Sequence, residues 1–129
     1  MKNSLMVSIS KELLKEIFEG ARRLYPKELI LLLRGEKDMN TVKVSELVVP
    51  PLATRGRGFA AVPFYMLPID FSIVGTVHSH PSGNLTPSTT DLNHVFGLIL
   101  MIVGFPFMDE TNVAAYNRKG EKLKIFVNG

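Results

Sequence analysis

The chain has 129 residues, 46% of them apolar, and a formal net charge of +3. That length predicts one domain, residues 1–129, burying roughly two-thirds of its unfolded surface. The absence of cysteine excludes disulfides and thiolate metal sites, and the scattered cations argue against a nucleic-acid surface.

Residues 1–10 lack the apolar core of a secretory signal. The longest apolar run, residues 95–108, is broken by Gly97, Gly104 and Pro106 and falls short of the ~18 residues of a membrane span. The expectation is a soluble, cytoplasmic protein with no membrane partner. In chain order, residues 5–9 suit a short edge strand, and Ser10 offers an N-cap. Residues 11–24 carry apolar side chains at 13, 14, 17, 18, 21 and 24, a helical stripe, which Tyr25-Pro26 ends because the residue before proline leaves the helical region. Residues 28–33, Glu-Leu-Ile-Leu-Leu-Leu, read as a buried strand headed by one acid. Residues 35–40 form a charged turn, and residues 41–49 a strand closed by Pro50-Pro51. Residues 53–58, Ala-Thr-Arg-Gly-Arg-Gly, are the most flexible composition in the chain.

Residues 59–62 suggest another short strand and residues 66–69 a turn through Pro68. An apolar run over residues 71–77 reads as a buried strand. A helix is expected over residues 88–97 and a central strand over residues 98–103. Strands over residues 113–116 and 122–127 flank a hairpin turn at residues 117–120. The order β-α-β-β-β-β-α-β-β-β implies a mixed sheet with helices packed on it, an α/β or α+β domain.

Two of the three histidines, His78 and His80, stand one residue apart at the end of the apolar run. Side chains two apart on a strand share a face, with Cα atoms roughly 6.5–7 Å apart, so both rings can lean onto one ion. After a loop of turn formers come Ser88 and Asp91. Taken alone, Ser-x-x-Asp is a helix N-terminal signature, a serine cap with an acid in the first turn. Ser88 can cap while the Asp91 carboxylate turns outward, so the roles are compatible. Two imidazoles and a carboxylate suit zinc and leave a fourth position open for water.

His78-x-His80, a seven-residue gap and Ser88-x-x-Asp91 together resemble the signature of the JAMM (MPN+) metalloproteases, including the proline after the second histidine. The resemblance implies an MPN-type domain, a mixed curved sheet flanked by helices with the metal at its rim. It implies one Zn2+ per chain with a bound water, held by His78, His80 and Asp91. In this family the catalytic glutamate lies on an early strand after the first helix. Glu28 matches that placement, although by itself it reads as the polar first residue of a strand. Ser88 would donate to the oxyanion. His94, one turn after Asp91, matches no family position and reads as a surface histidine or else as one supporting a metal ligand.

Catalytic relatives release ubiquitin or ubiquitin-like modifiers from lysine side chains. This chain looks like the small prokaryotic and archaeal forms, which act on β-grasp modifiers and sulfur-carrier proteins ending in Gly-Gly. Residues 53–64 occupy the place of the first substrate-gripping insertion of larger relatives. That segment is expected to lie main chain to main chain along the modifier's tail, with Arg55 and Arg57 meeting acidic groups on the modifier and Phe59 also contacting the substrate. Otherwise it is a loop without a partner. A homodimer is compatible with the family. The alternatives are a zinc hydrolase trimming a sulfur-carrier adduct and a non-catalytic MPN scaffold, the latter disfavoured by the intact ligand set.

Overall fold

The computed structural model describes residues 5–50, 70–93 and 95–129. The strand expected at residues 59–62, the turn at 66–69, the contacts of Arg55, Arg57 and Phe59, and His94 lie outside the described residues. The elements run β1 (Met6–Ser10), α1 (Lys11–Leu24), β2 (Ile30–Asp38), β3 (Thr41–Val48), β4 (Ile73–His80), α2 (Thr89–Asn93), β5 (Ile99–Gly104), a 3-10 turn (Glu110–Asn112), β6 (Val113–Asn117) and β7 (Lys122–Asn128).

The strands form a mixed sheet in the order β1-β3-β2-β4-β5-β6-β7, closed by parallel pairing of β1 with β7. The edge strand expected at residues 5–9 is therefore no edge. β1 alternates, with Val7 and Ile9 buried, as an edge strand also would; its two partners come from residues far along the chain. The charged turn expected at residues 35–40 is shorter than its composition suggests. β2 and β3 stay paired out to Asp38 and Thr41, with a bulge at Gly35, because the tip of a hairpin keeps its charges in water.

α1 starts where Ser10 accepts the Leu13 N–H at 3.0 Å. Glu12 in its first turn and Arg22 and Arg23 in its last complement the helix dipole. Its buried stripe of Leu14, Ile17, Phe18 and Ala21 joins residues from all seven strands in one core. A second, smaller core lies on the opposite face of β5 and β6. There Leu100, Ile102, Ala114 and Tyr116 pack against Leu85, Leu92 and Val95. Covered on both faces, β5 is buried at every position, which is why it reads as a continuous apolar run.

That second core decides where the metal centre sits. In the parallel register of β4 with β5, His78 lies beside Ile102 and His80 beside Gly104. His78 and His80 therefore share the face over which the segment from Leu85 to Val95 folds. Phe71 proves to be almost fully exposed and outside β4, which begins at Ile73. Among the described residues, no helix is long and apolar enough to cross a membrane.

Candidate metal centre

Both histidines are part of β4 itself, and their rings stack with centroids 4.8 Å apart and planes 22° from parallel. The chain then turns sharply. The His80 carbonyl accepts the N–H groups of Gly83 at 3.0 Å and Phe105 at 3.2 Å. Gly83 crosses Gly104 so closely that a Cβ there would lie 2.9 Å from the Gly83 carbonyl oxygen. A side chain at position 104 would thus lift the loop off the sheet.

The loop returns over the rings through turns made by its own polar side chains. Ser82 Oγ accepts the Asn84 N–H at 3.2 Å, and Asn84 Oδ1 accepts the Thr86 N–H at 3.0 Å. The Asn84 carbonyl stands 2.6 Å from His80 Nδ1. A carbonyl only accepts, so Nδ1 carries the proton, and the neutral ring presents the Nε2 lone pair to the centre.

α2 brings the third group. Ser88 and Asp91 cap each other: Ser88 N donates to Asp91 Oδ2 at 2.8 Å, and Asp91 N donates to Ser88 Oγ at 3.0 Å. Rather than turning away from the cap, the same Oδ2 also faces His78 Nε2 at 3.6 Å and His80 Nε2 at 3.3 Å. The oxygen that caps the helix is thus also the one that faces both rings. The helix is shorter than residues 88–97. Val95 packs down into the second core, and Gly97 takes φ = 96° to turn the chain into β5.

The donor set fits zinc. One nitrogen from each ring and a carboxylate oxygen all lie within 4.8 Å of one another. Bonds of about 2.0–2.1 Å to a tetrahedral ion put neighbouring donors about 3.3–3.4 Å apart, close to the two ring–carboxylate separations. Their protonation fits as well. Burial, with the nearby His80 charge, pushes His78 down to about 4 against the pull of Asp91, so that ring is neutral at pH 7. Burial raises Asp91, but its hydrogen bonds to His80 and Ser88 and the histidine charges outweigh this and hold it at about 2, so it is ionised. Burial lowers His80, yet its bonds to Asp91 and the Asn84 carbonyl, with the charges of Asp91 and Glu28, leave it raised.

Glu28 lies just before β2, not within it. It nevertheless lines a cleft of about 460 Å³ together with His80, Pro81, Ser82, Asn84, Thr86, Pro87, Ser88 and Asp91. Burial raises its pKa; the His80 charge lowers it and the Asp91 charge raises it further. The cleft therefore gathers His80, Asp91, Ser88 and Glu28, while His78 lies buried beside them. Two supporting contacts have no motif to announce them: the Asn84 carbonyl on His80, and the Tyr116 hydroxyl, which donates to the Leu85 carbonyl at 2.8 Å. A tyrosine on a buried strand, whose hydroxyl must find a partner, was the available signal for the second.

The family model for prokaryotic homologs of the JAB domain matches residues 10–119. A "probable metalloprotease" of Haloferax volcanii is 31% identical over 123 residues, 90% of this chain and 76% of the relative. A solved structure described as JAMM, a metalloprotease-like zinc site in the proteasome and signalosome, is 37% identical. It superposes with a TM-score of 0.71 over 98% of this chain and all of the other. A JAB1/MPN domain protein from Archaeoglobus fulgidus is 38% identical with a TM-score of 0.68, covering 97% of this chain and all of that one. The likeness runs from the cap of α1 to the last hairpin, and with the donor set it assigns the cofactor as one Zn2+: the chain belongs to the JAMM/MPN metalloprotease family, in its prokaryotic JAB form.

Proposed function

We propose that this chain is a zinc isopeptidase that hydrolyses the amide bond after the C-terminal Gly-Gly of a ubiquitin-like, β-grasp modifier. His78, His80 and Asp91 hold the ion, Glu28 carries the proton and Ser88 stabilises the oxyanion. The observation that carries this reading is the shared cleft, which sets Glu28 and Ser88, distant in sequence, beside His80 and Asp91.

When bound, zinc supplies a water of lowered pKa and polarises the scissile carbonyl. Glu28 accepts the proton of the attacking water and delivers it to the departing amine as the C–N bond breaks. Its upward-shifted pKa suits a carboxylate that must hold a proton between two steps. Ser88 Oγ accepts from the Asp91 N–H, which leaves its own hydrogen to donate to the oxyanion.

The substrate class rests on the resemblance of the motif, and the cleft lining supports it. Its described residues, Pro81, Ser82, Asn84, Thr86 and Pro87 among them, include no large apolar side chain. Such a lining suits a ligand recognised by its main chain, as a Gly-Gly tail must be. Three substrates tested side by side decide the matter: a lysine-linked modifier conjugate, a linear modifier fusion and a sulfur-carrier adduct. We expect the zinc-loaded protein to cleave the lysine-linked conjugate, and Glu28→Gln to slow cleavage by about 100-fold or more while retaining zinc. Turnover of the carrier adduct alone would reject the isopeptidase, and a wild-type rate in Glu28→Gln would reject Glu28 as proton carrier.

A further inference from the structure

The ladder between β2 and β4 ends in an unusual rung. From Arg34 opposite Ile73 to Ile30 opposite His78 the two strands pair residue by residue. At the next position Ser79 N donates to the Leu29 carbonyl at 3.0 Å, as a ladder requires. The reverse bond is different: Leu29 N donates 2.8 Å to Ser79 Oγ, a side-chain hydroxyl, in a buried hydrogen bond.

Ser79 sits between the two histidines but points the other way. Side chains alternate along a strand, and Ser79 lies in register with Val103 of the main core and is fully buried. Its hydroxyl therefore takes no part in the metal face. What it does touch is the residue that follows Glu28. Leu29 is held at three points: its N–H by Ser79 Oγ, its carbonyl by Ser79 N–H, and its buried side chain by the core. Glu28 is one peptide beyond, just past the end of the strand.

We propose that Ser79 is a positioning residue for Glu28. One side of β4 holds the ion through His78 and His80, while the other anchors the backbone from which the Glu28 carboxylate reaches into the cleft. The strand thus sets the distance between the metal and the proton carrier. Losing the hydroxyl leaves the buried Leu29 N–H without its acceptor, a condition that buried backbone donors rarely tolerate. The segment at the strand's end then shifts until it finds one. A misplacement of about 1 Å of a catalytic group costs up to about 100-fold in rate.

This inference rests on Glu28 as proton carrier, so the test uses a cycle of Ser79→Ala, Glu28→Gln and the double variant. The substrate throughout is a lysine-linked β-grasp modifier ending in Gly-Gly. We expect Ser79→Ala to lower kcat about 10–100-fold with KM and zinc affinity within about twofold, the latter measured by chelator competition. Hydrogen exchange at the Leu29 amide should accelerate, and Ser79→Ala should cost nothing further in the Glu28→Gln background. Full activity of Glu28→Gln would overturn the proton carrier itself. A strongly slowed Glu28→Gln beside a wild-type kcat, an unchanged Leu29 amide or a loss of zinc in Ser79→Ala would overturn the role of Ser79 alone. Additive losses in the double variant would do the same. If Ser79→Ala does not fold, Ser79→Cys, near in size but a weak acceptor, undergoes the same measurements with the same outcomes.

Discussion

The Tyr116 hydroxyl donates to the Leu85 carbonyl across 2.8 Å, tying β6 to the loop that crosses the metal centre. Leu85 follows Asn84, whose carbonyl sets the His80 tautomer. Tyr116 thus supports, through two adjacent peptide groups, the carbonyl that meets His80. Losing an outer-shell partner in direct contact with a metal ligand typically costs 10–100-fold in affinity. For Tyr116→Phe, which keeps the ring in the second core, we expect about a 3–10-fold loss of zinc affinity by chelator competition. Urea unfolding of the metal-free protein should change by only about 1 kcal/mol. Unaltered affinity would assign the loop's position to the packing of Leu85 and Leu92 alone.

Zinc binding should expel a proton, and the two histidines differ in which of them supplies it. His78, held at about 4 by burial, is already neutral above pH 6. His80 is buried too, but Asp91, the Asn84 carbonyl and Glu28 raise its pKa above the ordinary histidine value. Below that raised pKa the metal-free protein carries the proton on His80, and the ion must displace it. The sign follows: the His80 share of the release is present at pH 6 and is lost as pH rises through the raised His80 pKa, while a zinc-held water of lowered pKa would add release above about pH 7. Calorimetric zinc titrations in buffers of different ionisation enthalpy read this directly. No release at pH 6 would contradict the assignment to His80.

Ser88 has two duties that substitution can separate. It caps α2 through Oγ, and by our reading its hydrogen goes to the oxyanion. Ser88→Ala loses both, at about 1 kcal/mol for the cap. Ser88→Gly loses the donor but only a few tenths of a kcal/mol of capping. Both variants are expected to drop kcat by about 100-fold or more, while only the alanine variant shifts the denaturation midpoint appreciably. A rate loss confined to the alanine variant would reduce Ser88 to a cap.

The metal centre was legible because its ligands lie within fourteen residues (His78 to Asp91) and their spacing follows from a strand, a turn and a cap. Such local periodicities survive translation into structure. What the sequence hid is long-range. β1 reads as an edge strand because nothing in its five residues names β3 and β7 as partners. The helix expected to reach residue 97 ends at Asn93 because burying Val95 and turning at Gly97 outweigh a further turn of helix. Glu28 matches the family's placement, but its setting depends on Leu29 meeting Ser79, a pairing that no local pattern encodes.

Two glycines offer a direct test of which backbone features the fold requires. Gly97 has φ = 96°, a region that side chains avoid. A Cβ there would also lie 2.6 Å from the Val74 carbonyl carbon and 2.7 Å from its oxygen, backbone atoms that cannot step aside. Leu98 N donates to that same oxygen at 2.7 Å, so the clash falls where the chain enters β5. Gly97→Ala should therefore cost about 3 kcal/mol or more. Gly20 is the counterpart. It lies inside α1, and among the described residues a Cβ there meets only the Leu29 side chain, at 3.4 Å. Alanine gains about 0.5–1 kcal/mol over glycine in a helix interior. Gly20→Ala is expected to raise the urea midpoint and Gly97→Ala to lower it. If Gly97→Ala left the midpoint unchanged or raised it, the tight turn at Gly97 would not be the constraint that its geometry implies.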